Sequence, residues 1–168
     1  DLRLDDPDRA RSWIHFQNPE RDDSTIQTLR DVFEDWRDQG TPNDYKLTIL
    51  VTVLKHHRRL GNLTELLDAV GMNGVPVLII DDEADQASLN MEVAQGEEST
   101  TYQRLMELRG VLPLHSYLQY TATPQAPLLI SIVDSLSPNF VEVLTPGDAY
   151  VGGRDFFGNN QSLVRTIP

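Results

Sequence analysis

Carboxylates are packed most densely at residues 81–85, which read Asp-Asp-Glu-Ala-Asp and follow the apolar run 77–80. Neighbouring carboxylates repel one another, so such a cluster requires a cation or hydrogen bonds to offset the repulsion. A carboxylate fixed at the end of a buried strand suits Mg²⁺, which usually keeps several waters and binds phosphate oxygens. A following glutamate can polarise a water molecule that attacks a phosphate. The cluster therefore predicts Mg²⁺-dependent chemistry on a nucleotide phosphate.

Two further segments with reactive side chains also follow apolar runs. A basic cluster, Lys-His-His-Arg-Arg at residues 55–59, follows the run 47–54, and Thr-Ala-Thr-Pro at 121–124 follows residues 115–120. Phosphate contacts would come from four side chains of the basic cluster: Lys55, His56, Arg58 and Arg59. The alternative is a solvated basic turn, and adjacent histidines without a third ligand do not predict a metal site.

Composition sets the limits within which these segments act. The 168 residues carry 14 Lys and Arg against 26 Asp and Glu, a net charge of −12, which argues against polyanion binding over the whole surface. Residues 71–100 hold seven acids and no base. The absence of cysteine excludes disulfides and thiolate zinc sites. No apolar run approaches the ~20 residues of a membrane span, and the polar start is no signal peptide, so a cytoplasmic location is expected.

Hydrophobic periodicity predicts the elements that position the three segments. Apolar residues at helical spacing predict helices, and β-branched apolar runs predict strands buried on both faces. The predicted order is helix 24–39, strand 47–54, helix 62–70, strand 75–80, helix 101–108, strand 115–120, helix 128–136 and strand 140–144. This alternation predicts an α/β fold with a parallel sheet. Ligand sites in such sheets lie beyond the carboxyl ends of the strands, where all three segments fall.

The acidic and threonine segments resemble known motifs. Residues 82–85 read DEAD, similar to motif II of the superfamily-two helicases, and residues 121–123 read TAT, similar to their motif III. The longer strings VLIIDDEADQASLN, YLQYTATPQAP and LTPGDAYVGG resemble the bacterial Z-one domain family, whose members are described as endonucleases. The resemblance covers residues 47–157. It implies a RecA-like three-layer sandwich with a mainly parallel sheet, lacking the N-terminal part that carries the phosphate loop.

The resemblance also implies roles for individual residues. Asp82 would hold Mg²⁺, and Glu83 would activate the attacking water. Asp85 would couple motif II to Thr121 and Thr123. Asp81 is an extra carboxylate, which would tune the metal site or cap the next helix. Without the resemblance, residues 81–85 could be an acidic helix start, and the two threonines could cap a following helix.

A phosphate-binding loop of the GxxxxGK[ST] type does not occur in the sequence, whose only lysines are Lys46 and Lys55. We therefore expect a piece of a longer helicase or translocase, with Mg²⁺ and ATP as cofactors of the full-length protein. Its expected partners are nucleic acid, preferably DNA, and a second RecA-like lobe, with no membrane. The piece divides into a polar segment and helix (1–46), the lobe core (47–144) and a Gly-rich tail (145–168). Alone, it should neither hydrolyse ATP nor unwind DNA.

Two other classes of function stay open. A Mg²⁺-dependent nuclease would use Asp44 and Lys46 as a D-x-K motif beside the first predicted strand, with Asp31 or Asp35 upstream. A non-catalytic, helicase-like interaction lobe would need neither ATP nor metal. The Asp-Glu pair at residues 82–83 is intact, which argues against a helicase-like lobe that has lost its catalytic activity.

Overall fold

The computed structural model describes residues 13–85, 100–123, 136–145, 147 and 152. Helices and strands alternate along these residues. Their order is β1 (Trp13–Gln17), α1 (Asp23–Arg37), β2 (Thr48–Thr52), α2 (His57–Val70), β3 (Val77–Asp82), α3 (Thr100–Gly110) and β4 (His115–Tyr120). A 3-10 turn, Asn43–Tyr45, lies between α1 and β2.

Parallel pairing joins the strands in two pairs. β1 pairs with β2 in the register Trp13 to Thr48, and β3 pairs with β4 in the register Val77 to His115. A helix lies between the two strands of each pair in the chain, as parallel pairing requires, because a tight turn cannot connect parallel strands. The predicted α/β class with parallel strands is thus confirmed at this level, as two two-stranded sheets.

Capping groups explain where the first two helices begin and end. The Asp22 carboxylate accepts hydrogen bonds from the Thr25 amide at 2.9 Å and from the Ser24 hydroxyl at 2.6 Å. These bonds, led by that of Ser24, lower the pKa of Asp22 to about 2. α2 ends at Gly71, whose φ of 81° favours glycine because it has no Cβ.

The core lies between the three helices and one face of the strands. Leu29 of α1, Leu66 of α2 and Leu105 of α3 are buried in one cluster. Alternate strand residues pack against that cluster: Ile14, Phe16, Ile49, Val51, Val77 and Ile79. The intervening residues of β3 and β4 leave large apolar side chains exposed on the other face: Leu78, Ile80, Leu118 and Tyr120. The described helices therefore cover one face of the strands, whereas a three-layer sandwich has helices on both faces.

Three elements differ from the prediction. Residues 13–17 form β1, although their alternation was too short to be recognised as a strand. α2 begins at His57 instead of residue 62, because the His56 imidazole caps it by accepting from the Arg58 amide at 3.4 Å. Residues 140–144 form no strand, and Phe140 is 79% exposed. The predicted helix 128–136 lies almost wholly outside the described residues.

Contacts divide the chain into two units, 1–138 and 139–168. β1 and α1 belong to the first unit, since β1 pairs with β2 and the side chains of α1 enter the common core. The predicted boundary at residue 46 therefore does not coincide with a boundary between these units. No helix among the described residues has the length and apolar character needed to cross a bilayer.

Candidate functional site

Strand alternation separates the first two carboxylates of the acidic turn, as we name residues 81–85. Successive side chains of a strand point to opposite faces of the sheet. Asp81 follows the direction of Val77 and Ile79 toward the helices, and only 5% of it is exposed. Asp82 follows the direction of Ile80 and is exposed. The structure therefore does not bring Asp81 and Asp82 together as joint ligands of one metal ion.

Both oxygens of the Asp81 carboxylate accept from neighbouring side chains. The Lys55 ammonium lies 2.6 Å from Oδ1, and the Tyr117 hydroxyl donates to Oδ2 at 2.5 Å. Burial of the phenol raises the pKa of Tyr117 well above its ordinary value, and the hydrogen bond to Asp81 adds to that rise. A buried carboxylate needs such partners because an unpaired charge is costly away from water. Asp81 of β3 thus contacts β4 through Tyr117 and the segment between β2 and α2 through Lys55.

The Lys55 ammonium also binds the backbone of the acidic turn. It donates to the carbonyl oxygen of Asp82 at 2.7 Å and to that of Glu83 at 2.9 Å. Among the described residues, the Asp81 carboxylate also lies next to this nitrogen. The structure therefore directs Lys55 into the acidic turn, whereas the sequence predicted that it would contact the phosphates of a nucleic acid.

Glu83 occupies an uncommon backbone conformation at the centre of the turn. Its φ is +51°, in the left-handed region, which costs a non-glycine residue about 1–2 kcal/mol. Three contacts hold the conformation besides those of Lys55. The Asp82 carboxylate accepts from the Glu83 amide at 3.0 Å, the Ala84 amide donates to the carbonyl of Tyr120 at 3.1 Å, and the Ala84 side chain is fully buried. The side chains of Asp82 and Glu83 are consequently exposed at the end of β3.

The last carboxylate of the turn contacts both threonines that follow β4. Asp85 accepts from the Thr121 hydroxyl at 2.6 Å through Oδ1 and from the Thr123 hydroxyl through Oδ2. The Thr121 hydroxyl in turn accepts from the Thr123 amide at 3.0 Å. These bonds, led by that of Thr121, lower the pKa of Asp85. The structure therefore brings together the three residues assigned to coupling.

The remaining basic residues lie at the start of α2. The rings of His56 and His57 are 4.2 Å apart, and Arg59 lies 3.7 Å from the exposed Glu20 carboxylate. Desolvation lowers the pKa of His57, and its electrostatic interactions with the basic side chains of His56 and Arg58 lower it further. Because neighbouring basic side chains repel one another when they are protonated, an anion bound beside them would be favoured. The amino end of a helix adds a partial positive charge to the same place.

The donors of the acidic turn limit the kind of metal ion that it could bind. Among the described residues, no group of three or more His, Asp or Glu side chains could hold a metal ion. A closed metal cage built by the protein alone does not fit these residues. Mg²⁺ usually takes one or two carboxylates and completes its shell with waters and phosphate oxygens. The exposed Asp82 carboxylate fits that kind of ion.

The nuclease alternative depends on Lys46, which is only 7% exposed. Its ammonium donates to the carbonyl of Asp38 at 3.1 Å and lies 5.7 Å from the centre of the Trp36 ring. It therefore caps the carboxyl end of α1, where the helix dipole favours a cation. Asp31 and Asp35 are exposed on α1, and the side chain of Asp44 lies outside the described set.

Tyr117 was not singled out from the sequence, although it completes the Asp81 site. Arg109 lies 5.1 Å from the centre of its ring and donates to His115 at 3.1 Å. The signal available was alternation: in the register of β3 with β4, residue 117 points to the same face as residue 81. A polar side chain on the covered face of β4, beside a carboxylate on the covered face of β3, indicates a hydrogen bond between them.

The chain matches no protein-family model, and no match was found among curated proteins or solved structures. The helicase and Z-one resemblance therefore stays a prediction.

Proposed function

We propose that this chain is the part of an ATP-dependent nucleic-acid helicase or translocase that holds Mg²⁺-ATP for hydrolysis and couples hydrolysis to movement. One observation carries the proposal: Asp85 of the acidic turn accepts hydrogen bonds from both Thr121 and Thr123. A carboxylate that accepts from two hydroxyls at the neighbouring strand end links the acidic turn to the segment that follows β4. Such a link is what transmission of a change at a nucleotide site requires.

Asp82 and Glu83 would perform the chemistry of the site. Mg²⁺, when bound, would neutralise charge on the phosphate oxygens and would be held by Asp82, directly or through its waters. Glu83 would accept the proton of the attacking water, a role that needs an exposed carboxylate at the nucleotide face of the turn. Both side chains are exposed at the end of β3. Asp81, which is bonded to Lys55 and Tyr117, would keep the turn in place.

Coupling would pass from the acidic turn to the end of β4. Any displacement of Glu83 toward the nucleotide moves the backbone that carries Asp85, and Asp85 is bonded to the hydroxyls of Thr121 and Thr123. The amide of Thr123 donates to Thr121, so the two threonines move together. We propose that the segment after β4 passes this movement to a second RecA-like lobe.

Nucleic acid would bind at the start of α2 through His56, Arg58 and Arg59. These residues belong to the one segment of the sequence, 41–70, in which bases outnumber acids, four against three.

We propose further that a segment outside these 168 residues binds the phosphates of ATP, because the sequence has no loop of the required type. We place this activity in the cytoplasm. The nuclease alternative is not favoured, because Lys46 closes α1.

Mn²⁺ is a paramagnetic probe for the proposed Mg²⁺ site and can be used with the 168-residue chain. We expect Mn²⁺ to broaden the amide signals of Glu83 and Ala84 first in an NMR titration, and the broadening to require Asp82. The test variant is Asp82→Asn, which keeps the shape and removes the charge. Asp68→Asn is the matched control, because Asp68 is exposed near the other end of α2.

The two variants separate a metal site from general attraction to an acidic surface. Loss of the broadening in Asp82→Asn, with the Asp68→Asn variant unchanged, supports the proposal. Equal broadening in both variants contradicts a site at Asp82. So does broadening that is spread evenly over the amides beside all exposed carboxylates.

A further inference from the structure

We propose that Lys55 is a positioning residue that fixes the backbone of Glu83 and so aims the two exposed carboxylates of the acidic turn. The inference rests on the proposed function of that turn as a Mg²⁺ and water site. It differs from the sequence-based role of Lys55, which was contact with the phosphates of a nucleic acid.

The carbonyl groups that Lys55 binds are the two that flank one Cα atom. The carbonyl of Asp82 belongs to the peptide group before the Glu83 Cα, and the carbonyl of Glu83 belongs to the peptide group after it. Both accept from the same ammonium, at 2.7 and 2.9 Å. Holding both peptide planes fixes φ and ψ of the residue between them. Lys55 therefore holds Glu83 in its left-handed conformation, with φ of +51°.

The third oxygen around the ammonium explains why Lys55 keeps this position. An ammonium has three N–H donors, and Asp81 Oδ1 lies 2.6 Å from it. Asp81 is buried and is held from the other side by Tyr117. The lysine is thus anchored to the sheet through Asp81 while it binds the two carbonyls of the turn.

Relaxation of Glu83 would move the carboxylates that are proposed to act. A non-glycine residue released from the left-handed region returns to negative φ, and this rotation redirects the side chain and the peptide groups around it. Groups that orient metal ligands without touching the metal typically change metal affinity 10–100-fold when they are removed. We therefore expect loss of Lys55 to weaken Mn²⁺ binding by about ten-fold.

Three variants separate positioning from stability. Lys55→Met removes the ammonium but leaves the Asp81 charge buried. The double variant Lys55→Met/Asp81→Leu removes both charges, so it leaves no unpaired charge in the core while the contacts to the two carbonyls stay absent. Lys46→Met is the matched control, because Lys46 is a buried lysine that also binds backbone carbonyls, at the end of α1.

The first readout is the Mn²⁺ titration of the Glu83 amide. We expect about ten-fold weaker binding in the double variant and unchanged binding in the Lys46→Met variant. Wild-type affinity in the double variant would overturn the inference, while the proposed function would stand as long as Asp82→Asn abolishes binding.

The second readout does not depend on a metal. The Ala84 amide donates to the carbonyl of Tyr120, so its hydrogen exchange reports opening of the turn. In the double variant we expect its protection to fall at least about ten-fold more than that of the Leu66 amide in the core, because two hydrogen bonds to the turn are lost. Equal changes at both amides would contradict a positioning role even if wild-type protein bound no Mn²⁺.

Discussion

The hydroxyl of Tyr117 offers the sharpest test of the buried network. Tyr117→Phe removes the hydrogen bond to Asp81 Oδ2, which is 2.5 Å long, and keeps the ring, over which Arg109 lies at 5.1 Å. Asp81 is 5% exposed, so water cannot easily replace the lost donor. Hydrogen bonds to charged groups contribute about 1.5–3 kcal/mol. We therefore expect the free energy of unfolding to fall by about 2 kcal/mol.

Urea unfolding followed by tryptophan fluorescence measures this loss. At an m-value of about 2 kcal/mol per M, the midpoint should fall by about 1 M with no change in m. Tyr45→Phe is the matched control, because Tyr45 is 78% exposed and should leave the midpoint unchanged. A loss below about 0.5 kcal/mol for Tyr117→Phe, within the range of ordinary surface substitutions, would refute the reasoning.

The same variant tests the raised pKa of Tyr117. Above the ordinary pKa of 10.0, tyrosine ionises in the unfolded chain, whereas burial and Asp81 keep the folded phenol protonated. The contribution of Tyr117 to stability is therefore complete below pH 10 and is lost as the pH rises further. The difference in stability between wild type and Tyr117→Phe should shrink above about pH 10. A difference that stays constant or grows there would contradict the assignment.

Three further predictions address the coupling contact, the first helix and the basic cluster. In Thr121→Val, the Asp85 carboxyl should titrate closer to its ordinary pKa of 3.8 in ¹³C NMR, because the hydrogen bond that lowers its pKa most is lost; an unchanged titration would argue against the contact. Asp22→Ala should lower the thermal unfolding temperature at pH 7, and the difference from wild type should vanish as the pH falls from 3.8 through about 2. Arg58→Ala should weaken binding of a single-stranded oligonucleotide and lower the slope of log affinity against log salt by about one, whereas Arg30→Ala, which contacts the opposite end of α2, should not.

The sequence predicts elements well where periodicity is strong. Residues 24–39 place apolar side chains on one face, and α1 spans Asp23–Arg37 accordingly. β4 spans His115–Tyr120 as predicted. The pattern of β1 is too short to predict a strand, because His15 and Gln17 alternate with only two half-buried apolar residues. Residues 140–144 show the opposite case, since a short run rich in apolar and β-branched residues predicts a strand, but these residues form none.

Some contacts of the candidate site could likewise be expected from the sequence, and others could not. The resemblance implies the contact of Asp85 with the two threonines, and the structure gives its physical reason: β3 and β4 are parallel neighbours, so their carboxyl ends meet. The roles of Asp81 and Lys55 could not be read from order. They depend on which face of β3 the helices cover, which places Asp81 inside and Asp82 outside, and on the turn after β2 that brings the lysine to β3.

ATP turnover tests the central claim most directly. The measurement compares wild type with Glu83→Gln in the longer protein proposed to supply the phosphate-binding loop, with nucleic acid present. Removal of a general base typically lowers turnover about 10²–10⁴-fold, so we predict a loss of at least about 100-fold with ATP binding retained. A Glu83→Gln variant that hydrolyses ATP at the wild-type rate would contradict the account.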